Sequence, residues 1–421
     1  MKEAETLGHL LIVGGGAAGL TAAGFAAKER PDLKITVLER GGRPARKVRI
    51  TGKGRCNVTN NCTVEEFIRH VPENGRFLYG ALSALTPQDT MELFEGLGVP
   101  LKTERGSRVF PCSDKAADIA EALVRFAREG GVLLKQGRGA ALLMKDGVCR
   151  GVRTADGEEL AADAVIVCTG GLSYPLTGSD GDGYRLAEQA GHTLIPPRPS
   201  LVPLISPARW CAEAQGLSLR NCRLTARDNR TGKTVFEDLG ELLFTHFGLS
   251  GPLVLSASAH MRQMAPGRYT LLLDLKPGLT PEQLDVRLLR DLEENRNRDF
   301  ANSLDKLLPR KLILPMVRLS EIPPDRKCHS VTREERTRLA VLLKALPVPV
   351  DGFRPVEEAI VTSGGVSVKE VSPKTMESKR VPGLYFAGEV LDVDAYTGGY
   401  NLQIAFSTGA AAGRQAALSL D

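Results

Sequence analysis

Three glycines in Gly14-x-Gly16-x-x-Gly19 follow the apolar run Leu10-Leu11-Ile12-Val13 and precede a small, apolar stretch at 20–27. A strand, a tight glycine turn and a helix in that order bring bare backbone N–H groups and the positive end of a helix to one point. That arrangement suits a pyrophosphate. The residues expected to hold it are Gly14, Gly16, Ala17, Ala18 and Gly19. A second strand, Lys34-Ile35-Thr36-Val37-Leu38, ends in Glu39, twenty residues past Gly19, where a carboxylate can accept hydrogen bonds from an adenosine ribose. A motif this short arises easily by chance among 44 glycines. The strand, helix and carboxylate around it are what give it meaning.

Four further segments carry residue types suited to a flavin nucleotide. The first contains Arg40, Gly42, Arg46 and Lys47 and runs into Thr51-Gly52-Lys53-Gly54-Arg55-Cys56-Asn57. Its donors and flexible backbone suit close contact with a charged, planar ligand, although an exposed basic loop would have a similar composition. The second, Thr169-Gly170-Gly171, ends a buried run at 164–168 and lets the backbone approach the same nucleotide from the other side. The third, Gly388-Glu389, ends another strand with an acid that can meet ribitol hydroxyls. The fourth, with Gly399, Tyr400, Asn401 and Leu402, opens the last helix. The positive end of that helix suits the N1–C2=O edge of a reduced flavin. NAD would explain the first turn equally well but would not need these later segments, so the expected cofactor is FAD. No second G-x-G-x-x-G follows a strand, which leaves NADH or NADPH as a transient electron donor. For reduction of a double bond, Tyr396, Tyr400 and His246 are candidate proton donors by chemistry alone. Cys56 has no second thiol to pair with, so disulfide chemistry is not expected.

Among the supporting elements, apolar spacing predicts helices at 63–85 and 115–128, the latter capped by Ser113, with a third starting at Thr86-Pro87 and stopping at Gly98. Short apolar runs at 132–134, 140–144 and 148–152, with turns at Asp146-Gly147 and Asp156-Gly157, predict an antiparallel meander. Pro196-Pro197-Arg198-Pro199 reads as a boundary. Residues 200–280 alternate strands and turns, 281–345 are charged and helical, and the strand-glycine texture returns at 359–366 and 384–389. A domain begun at residue 1 and completed by 356–421 therefore encloses an insertion at 197–355.

The 421 residues allow two to three domains. A net charge of +5 with scattered Lys and Arg gives no nucleic-acid footprint, and no run approaches the length of a membrane span. The eight cysteines lack C-x-x-C or metal-ligand spacing. Reduced thiols and the absence of a signal-like segment predict a cytoplasmic protein.

These segments together resemble the BaiN-like, aminoacetone-oxidase-like family of FAD-dependent oxidoreductases, within the glutathione-reductase-like flavoprotein class. The resemblance is carried by Gly42-Arg43-x-x-Arg46-Lys47, Thr51-Gly52-x-Gly54-Arg55-Cys56-Asn57, Thr169-Gly170-Gly171, Thr245-His246-Phe247-Gly248-Leu249-Ser250-Gly251-Pro252, Leu384-Tyr385-Phe386-Ala387-Gly388-Glu389 and Thr397-Gly398-Gly399-Tyr400-Asn401-Leu402-Gln403. It implies an α/β fold: a Rossmann-like FAD domain with a central parallel sheet and meander, interrupted by a β-barrel-like domain (197–280 and 345–355) carrying a helical subdomain (281–344). It also implies hydride transfer through the flavin on a small-molecule substrate. The reading it favours is an NAD(P)H-linked reductase of a conjugated C=C bond in a 3-oxo steroid or bile-acid-like compound. A peroxide-forming amine oxidase is the alternative, and an RNA-modifying or non-catalytic flavoprotein comes after it. With one tryptophan and no concentrated basic run, neither a nucleic-acid partner nor a membrane is expected, and the oligomeric state is left open.

Overall fold

The computed structural model describes residues 8–420. Five strands form a parallel sheet in the order Leu384–Phe386, Ala164–Val167, His9–Val13, Lys34–Glu39, Leu133–Gln136. The inner strands are almost continuously apolar because a parallel sheet is covered on both faces. From His9–Val13 the chain moves outward through Lys34–Glu39 to Leu133–Gln136, then returns on the other side through Ala164–Val167. The first glycine turn therefore lies where the strand order reverses, the crevice in which α/β sheets bind ligands.

Two helices cover this crevice. Ala17–Glu29 is buried along its whole middle, from Ala18 to Ala27. The C-terminal helix, Tyr400–Leu418, lies directly on it. A Cβ on Gly409 would come within 2.4 Å of the Ala18 carbonyl oxygen, and one on Gly413 within 2.2 Å of that of Ala22. Two glycines one turn apart thus let the helix backbones touch.

Four local expectations are revised. Leu133–Gln136 pairs parallel with Lys34–Glu39, so the run at 132–134 belongs to the central sheet. The meander is Gly139–Lys145, Val148–Thr154 and Glu159–Ala161. A four-residue apolar run does not by itself choose a parallel or an antiparallel partner. The 63–85 helix breaks into Val64–Arg69 and Tyr79–Ala84, because Pro72 lacks an N–H and Asn74 turns left-handed at φ 57°. The helix after Ser113 is Ala116–Glu129 with Lys115 at its N-cap; Ser113 Oγ instead accepts from Lys115 N (3.3 Å) and donates to Asp118 (2.5 Å). Pro196 to Pro199 lie within the strand Leu194–Ser200, paired with Val361–Val366. Each strand of this two-stranded sheet is an edge, where proline is tolerated.

The chain divides into two compact units, one running to Ser200 and resuming at Val356, the other Leu201–Pro355. The second is a seven-stranded antiparallel sheet whose end strands, Leu346–Val350 and Gly352–Phe353, are joined by Asp351 alone. Because one residue connects its two edges, the sheet must curl into a barrel. Helices Pro281–Glu294, Arg310–Ser320 and Arg333–Lys344 are inserted between the strands Tyr269–Asp274 and Leu346–Val350. Among the described residues no helix is long and apolar enough to cross a membrane.

Candidate functional site

The site is built first from backbone. Gly14 has φ +108°, donates to Leu38 O (2.8 Å), and a Cβ there would meet the Cys168 carbonyl at 2.5 Å. A Cβ on Gly19 would stand 1.9 Å from the Gly14 carbonyl, so the helix is pressed onto the turn. At Gly16, the N-cap, a Cβ would meet nothing within 4 Å, no side chain caps the helix, and no acid occupies its first turn. The first helical N–H groups, of Ala17, Ala18 and Gly19, are left for an external acceptor. Glu39 is held at the end of its strand by Gly15 N (2.8 Å) and Gly41 N (2.7 Å), one on each oxygen. Each oxygen keeps a lone pair for a ribose hydroxyl. Gly42 also faces open space, whereas Arg40 is paired with Asp180 and, at 3.4 Å, Asp182.

The glycine-rich segment is a strained loop whose arginine is already engaged. Gly52, Lys53, Gly54 and Cys56 all have positive φ (55°, 57°, 84° and 59°). For Lys53 and Cys56 this conformation is unfavourable and must be imposed by their surroundings. Arg55 supplies one clamp: its guanidinium lies 4.2 Å from the Phe110 ring centroid and bonds Glu104 (2.5 Å) and Asp114 (2.6 Å). Arg55, expected to face the cofactor, is therefore a clamp on the loop. Thr51 Oγ1 donates to Val48 O (2.7 Å), and Asn57 donates to Val109 O and Thr59 O while accepting from Gly399 N at 3.1 Å. Cys56 is fully buried, and burial pushes its thiol up to about 12. Arg46, in contrast, is exposed.

Lys47 and Glu389, 342 residues apart, meet at 2.6 Å. Lys47 also donates to Ser173 Oγ (2.6 Å), and the other Glu389 oxygen accepts from Ser173 Oγ (3.0 Å) and Thr362 N (2.8 Å). Glu389, expected to meet ribitol hydroxyls, is held here by a lysine, a serine and a backbone amide. Gly388 (φ +78°) bonds Thr408 Oγ1 (2.9 Å), and a Cβ there would be 2.9 Å from that of Ala18, which brings Glu389 to the start of the first helix. Beside the second glycine junction, Thr169 Oγ1 and the Tyr184 hydroxyl are buried with no partner in the protein. A Cβ on Gly171 would lie 3.1 Å from the Tyr184 oxygen, and one on Gly170 2.6 Å from Ser179 Oγ. Buried polar atoms without partners are costly and point to a group supplied from outside.

At the last turn, Gly399 (φ +98°) presses onto Thr59, whose carbonyl oxygen would be 2.3 Å from a Cβ there, and a Cβ on Gly398 (φ +127°) would stand 3.0 Å from the Tyr400 ring. No side chain caps the helix that follows, and no acid lies in its first turn. Asn401 bonds Ala395 N (2.9 Å) and O (2.7 Å) and so holds the turn, with Leu402 half-buried beside it. Tyr400 is buried, stacked on His70 (centroids 4.6 Å, 10° between planes) and edge-on to Phe67; burial pushes its phenol up. This is a core tyrosine. Tyr396 is half-buried and edge-on to His70 at 5.8 Å. His246 lies in the other unit, exposed on the turn between Thr234–Thr245 and Gly248–Ser250.

Ser173, Thr362, Tyr184 and His70 escaped the sequence reading. The first two adjoin recognised glycine segments, a signal that could have found them; for Tyr184 and His70 no local pattern exists. His70 Nδ1 lies 2.8 Å from the Glu66 carbonyl, which only accepts, so that nitrogen carries the proton.

Two uncapped helix ends, open glycine positions, a strand-end carboxylate and unpartnered buried hydroxyls fit an extended dinucleotide with a flavin at one end. Fold and site define a Rossmann-type FAD-dependent oxidoreductase. The chain belongs to the family described as HI0933-like protein Rossmann domain, whose model matches residues 8–415. It is 34% identical over 414 residues to a 3-dehydro-bile acid delta(4,6)-reductase of Clostridium scindens, covering 96% of this chain and 98% of that one. It is 32% identical over 407 residues to a ribosomal RNA dihydrouridine synthase of Escherichia coli, covering 94% and 95%. In fold it is similar to the 3-ketosteroid delta1-dehydrogenase of Sterolibacterium denitrificans, at TM-score 0.51 and 13% identity, covering 97% of this chain and 99% of that one.

Proposed function

We propose that the protein reduces a carbon–carbon double bond conjugated to a carbonyl, with NADH or NADPH as electron donor. The observation that carries this is its near full-length similarity to two proteins whose names describe one chemistry on different carriers. A 3-oxo steroid with 4,6 double bonds and a uracil ring both present C=C conjugated to C=O. Reduction adds a hydride to the β-carbon and a proton to the α-carbon. FAD, when bound, supplies the hydride chemistry at its N5. Around the diphosphate the chain contributes the N–H groups of Ala17, Ala18 and Gly19, with Glu39 on the ribose. Lys47, Ser173, Thr362 and Glu389 form a preset polar network beside the first helix. For the proton, Tyr400 is ill suited because its phenol is buried and pushed up. His70 fits better by geometry: its Nδ1 bond to Glu66 O leaves Nε2 as the ring atom available to take up and pass on a proton.

A second reading keeps the reaction and places the double bond in a uridine of RNA; the Escherichia coli relative favours it. The test is anaerobic titration of the holoprotein with NADH and NADPH, followed by a 3-oxo-4-ene steroid or a uridine-containing RNA. Bleaching of the flavin band by a nicotinamide and its return with either acceptor is expected. Bleaching only by an α-amino ketone, with peroxide released in air, would overturn the reductase in favour of an amine oxidase.

A further inference from the structure

Residues 172–181 combine proline, glycine and small hydroxyl side chains, the composition of a tight turn. The turn is held by its own bonds: Thr177 N donates to Tyr174 O (2.8 Å) and Gly178 N to Pro175 O (3.0 Å). Left-handed backbone flanks it, at Tyr174 (φ 54°) and Gly178 (φ 111°). A tyrosine takes that conformation only where its surroundings impose it. Both feet of the segment, Ser173 and Ser179, are buried, whereas Leu176 at the crest is 86% exposed.

The stretch from Arg40 to Lys47 is tied to this turn at both ends. Lys47 donates to Ser173 Oγ (2.6 Å) and lies over the Tyr174 ring at 6.0 Å. Arg40, seven residues before Lys47, pairs with Asp180, seven residues after Ser173. The two stretches are therefore of equal length and joined antiparallel. Between the ties, Gly42 faces open space. Each stretch rests on one glycine junction: Ala45 N donates to Gly15 O (2.8 Å), and a Cβ on Gly170 would stand 2.6 Å from Ser179 Oγ. The frame they form adjoins both glycine junctions and Glu39, which Gly41 N holds (2.7 Å).

The two ties are unequal. Lys47 is fixed further by Glu389 (2.6 Å). The side chains of Arg40 and Asp180 are 36% and 28% exposed, and Arg40 has a second carboxylate, Asp182, at 3.4 Å. Asp182 is itself anchored by two bonds from Arg138 (2.8 and 2.7 Å). Parted from Asp180, Arg40 keeps a partner and Asp180 gains water, which lowers the cost of opening this end.

We infer that residues 173–180 are a strap over the dinucleotide site, latched by the Arg40–Asp180 pair, and that release of this latch lets FAD enter and leave. The inference rests on FAD as the cofactor and not on which double bond is reduced. The Lys47–Ser173 tie is the pivot, and the internal bonds of the turn make the strap swing as one piece. A latch that is shut with and without cofactor, once broken, speeds entry and exit alike and leaves the affinity unchanged. A side chain that only touches the cofactor speeds exit alone.

The test uses the full chain, stripped of FAD and reloaded. Uptake is followed by the change in flavin fluorescence, and release by the flavin retained after rapid gel filtration. Asp180→Asn keeps the shape and removes the charge, so both rates should rise by about fivefold, the upper range for a pair this exposed, with an unchanged dissociation constant. In an Arg40→Gln background, itself faster than wild type, Asp180→Asn should change neither rate, because the latch is already broken. Asp299→Asn, which breaks an ion pair with Lys327 (2.7 Å) in the inserted unit, is the control and should leave both rates as they are. Melting of each FAD-free variant shows that it folds. Faster release with a matching loss of affinity, unchanged rates in Asp180→Asn, or independent effects of the two substitutions overturns the latch. A wild type that takes up no FAD overturns the cofactor assignment and the latch with it.

Discussion

Adding one methyl group at Gly413 tests whether the contact between the first and last helices sets the stability of the FAD-binding unit. An alanine Cβ there would lie 2.2 Å from the Ala22 carbonyl oxygen and 2.8 Å from Ala22 Cα, whereas ordinary contact begins at 3.4 Å. The helices must part locally by about 1.2 Å, and both partners are backbone, so no side chain can rotate away. Overpacking of this kind costs about 1–3 kcal/mol. Replacing glycine by alanine inside a helix offsets roughly 0.5–1 kcal/mol of that. The expected net loss of about 1–2 kcal/mol should lower the melting temperature by about 2–8 °C. Gly409→Ala carries a second consequence, because the Ala18 carbonyl it strikes, at 2.4 Å, belongs to the helix start that faces the diphosphate. FAD should dissociate more readily from that variant. Gly96→Ala is the control with opposite sign: it lies at the end of Pro87–Gly96, and a Cβ there would meet nothing within 4 Å. It should be neutral or slightly stabilising. Melting followed by far-UV circular dichroism and by flavin release decides the matter. A Gly413→Ala protein as stable as the wild type would refute the close-contact argument.

Three further outcomes follow from the same geometry. Lys47→Met and Glu389→Gln break an ion pair with side chains 23% and 19% exposed, between the surface and buried limits, so each should cost about 1–2 kcal/mol in urea unfolding. The double variant should lose less than the sum of the two, and strict additivity would show that the pair is uncoupled. Glu370 is held by Arg380 and by Thr193, which lower its carboxyl to about 2. Its contribution is fully present above its ordinary value of about 4.3 and is lost as pH falls towards 2, so the stability gap to Glu370→Gln should be open at pH 7 and close across that window; a gap constant with pH refutes the assignment. Cys56, pushed up to about 12 by burial, stays a thiol at pH 8. Iodoacetamide should then modify the exposed Cys112 first in native protein, and labelling of Cys56 at an equal rate would show that its pocket opens.

The features legible in the sequence are those decided within a few residues. Gly14, Gly16 and Gly19 act through backbone sterics at fixed spacing, and Glu39 ends the strand that the apolar period marks. The beginning of a helix at Pro87 was equally local, because Thr86 and Asp89 form a reciprocal cap. Where the same apolar run fits two partners, as at Leu133–Gln136, periodicity has no means to choose, and the parallel pairing with Lys34–Glu39 depended on the whole sheet. The basic texture of Arg46 to Asn57 was visible, but not that Arg55 would turn to Glu104 and Asp114 and Lys47 to Glu389.

By itself, then, the sequence determined that a strand, a glycine turn and a helix would make a dinucleotide cradle, with matching glycine junctions at Thr169 and Gly388. Tertiary structure alone decided that Gly409 and Gly413 would lie against Ala18 and Ala22, that Lys47 would close on Glu389, and that Tyr400 would be core while His70 stacks on it. The physical reason is range: sterics and periodicity act between near neighbours, whereas an ion pair across 342 residues exists only once the sheet has set which strand ends adjoin.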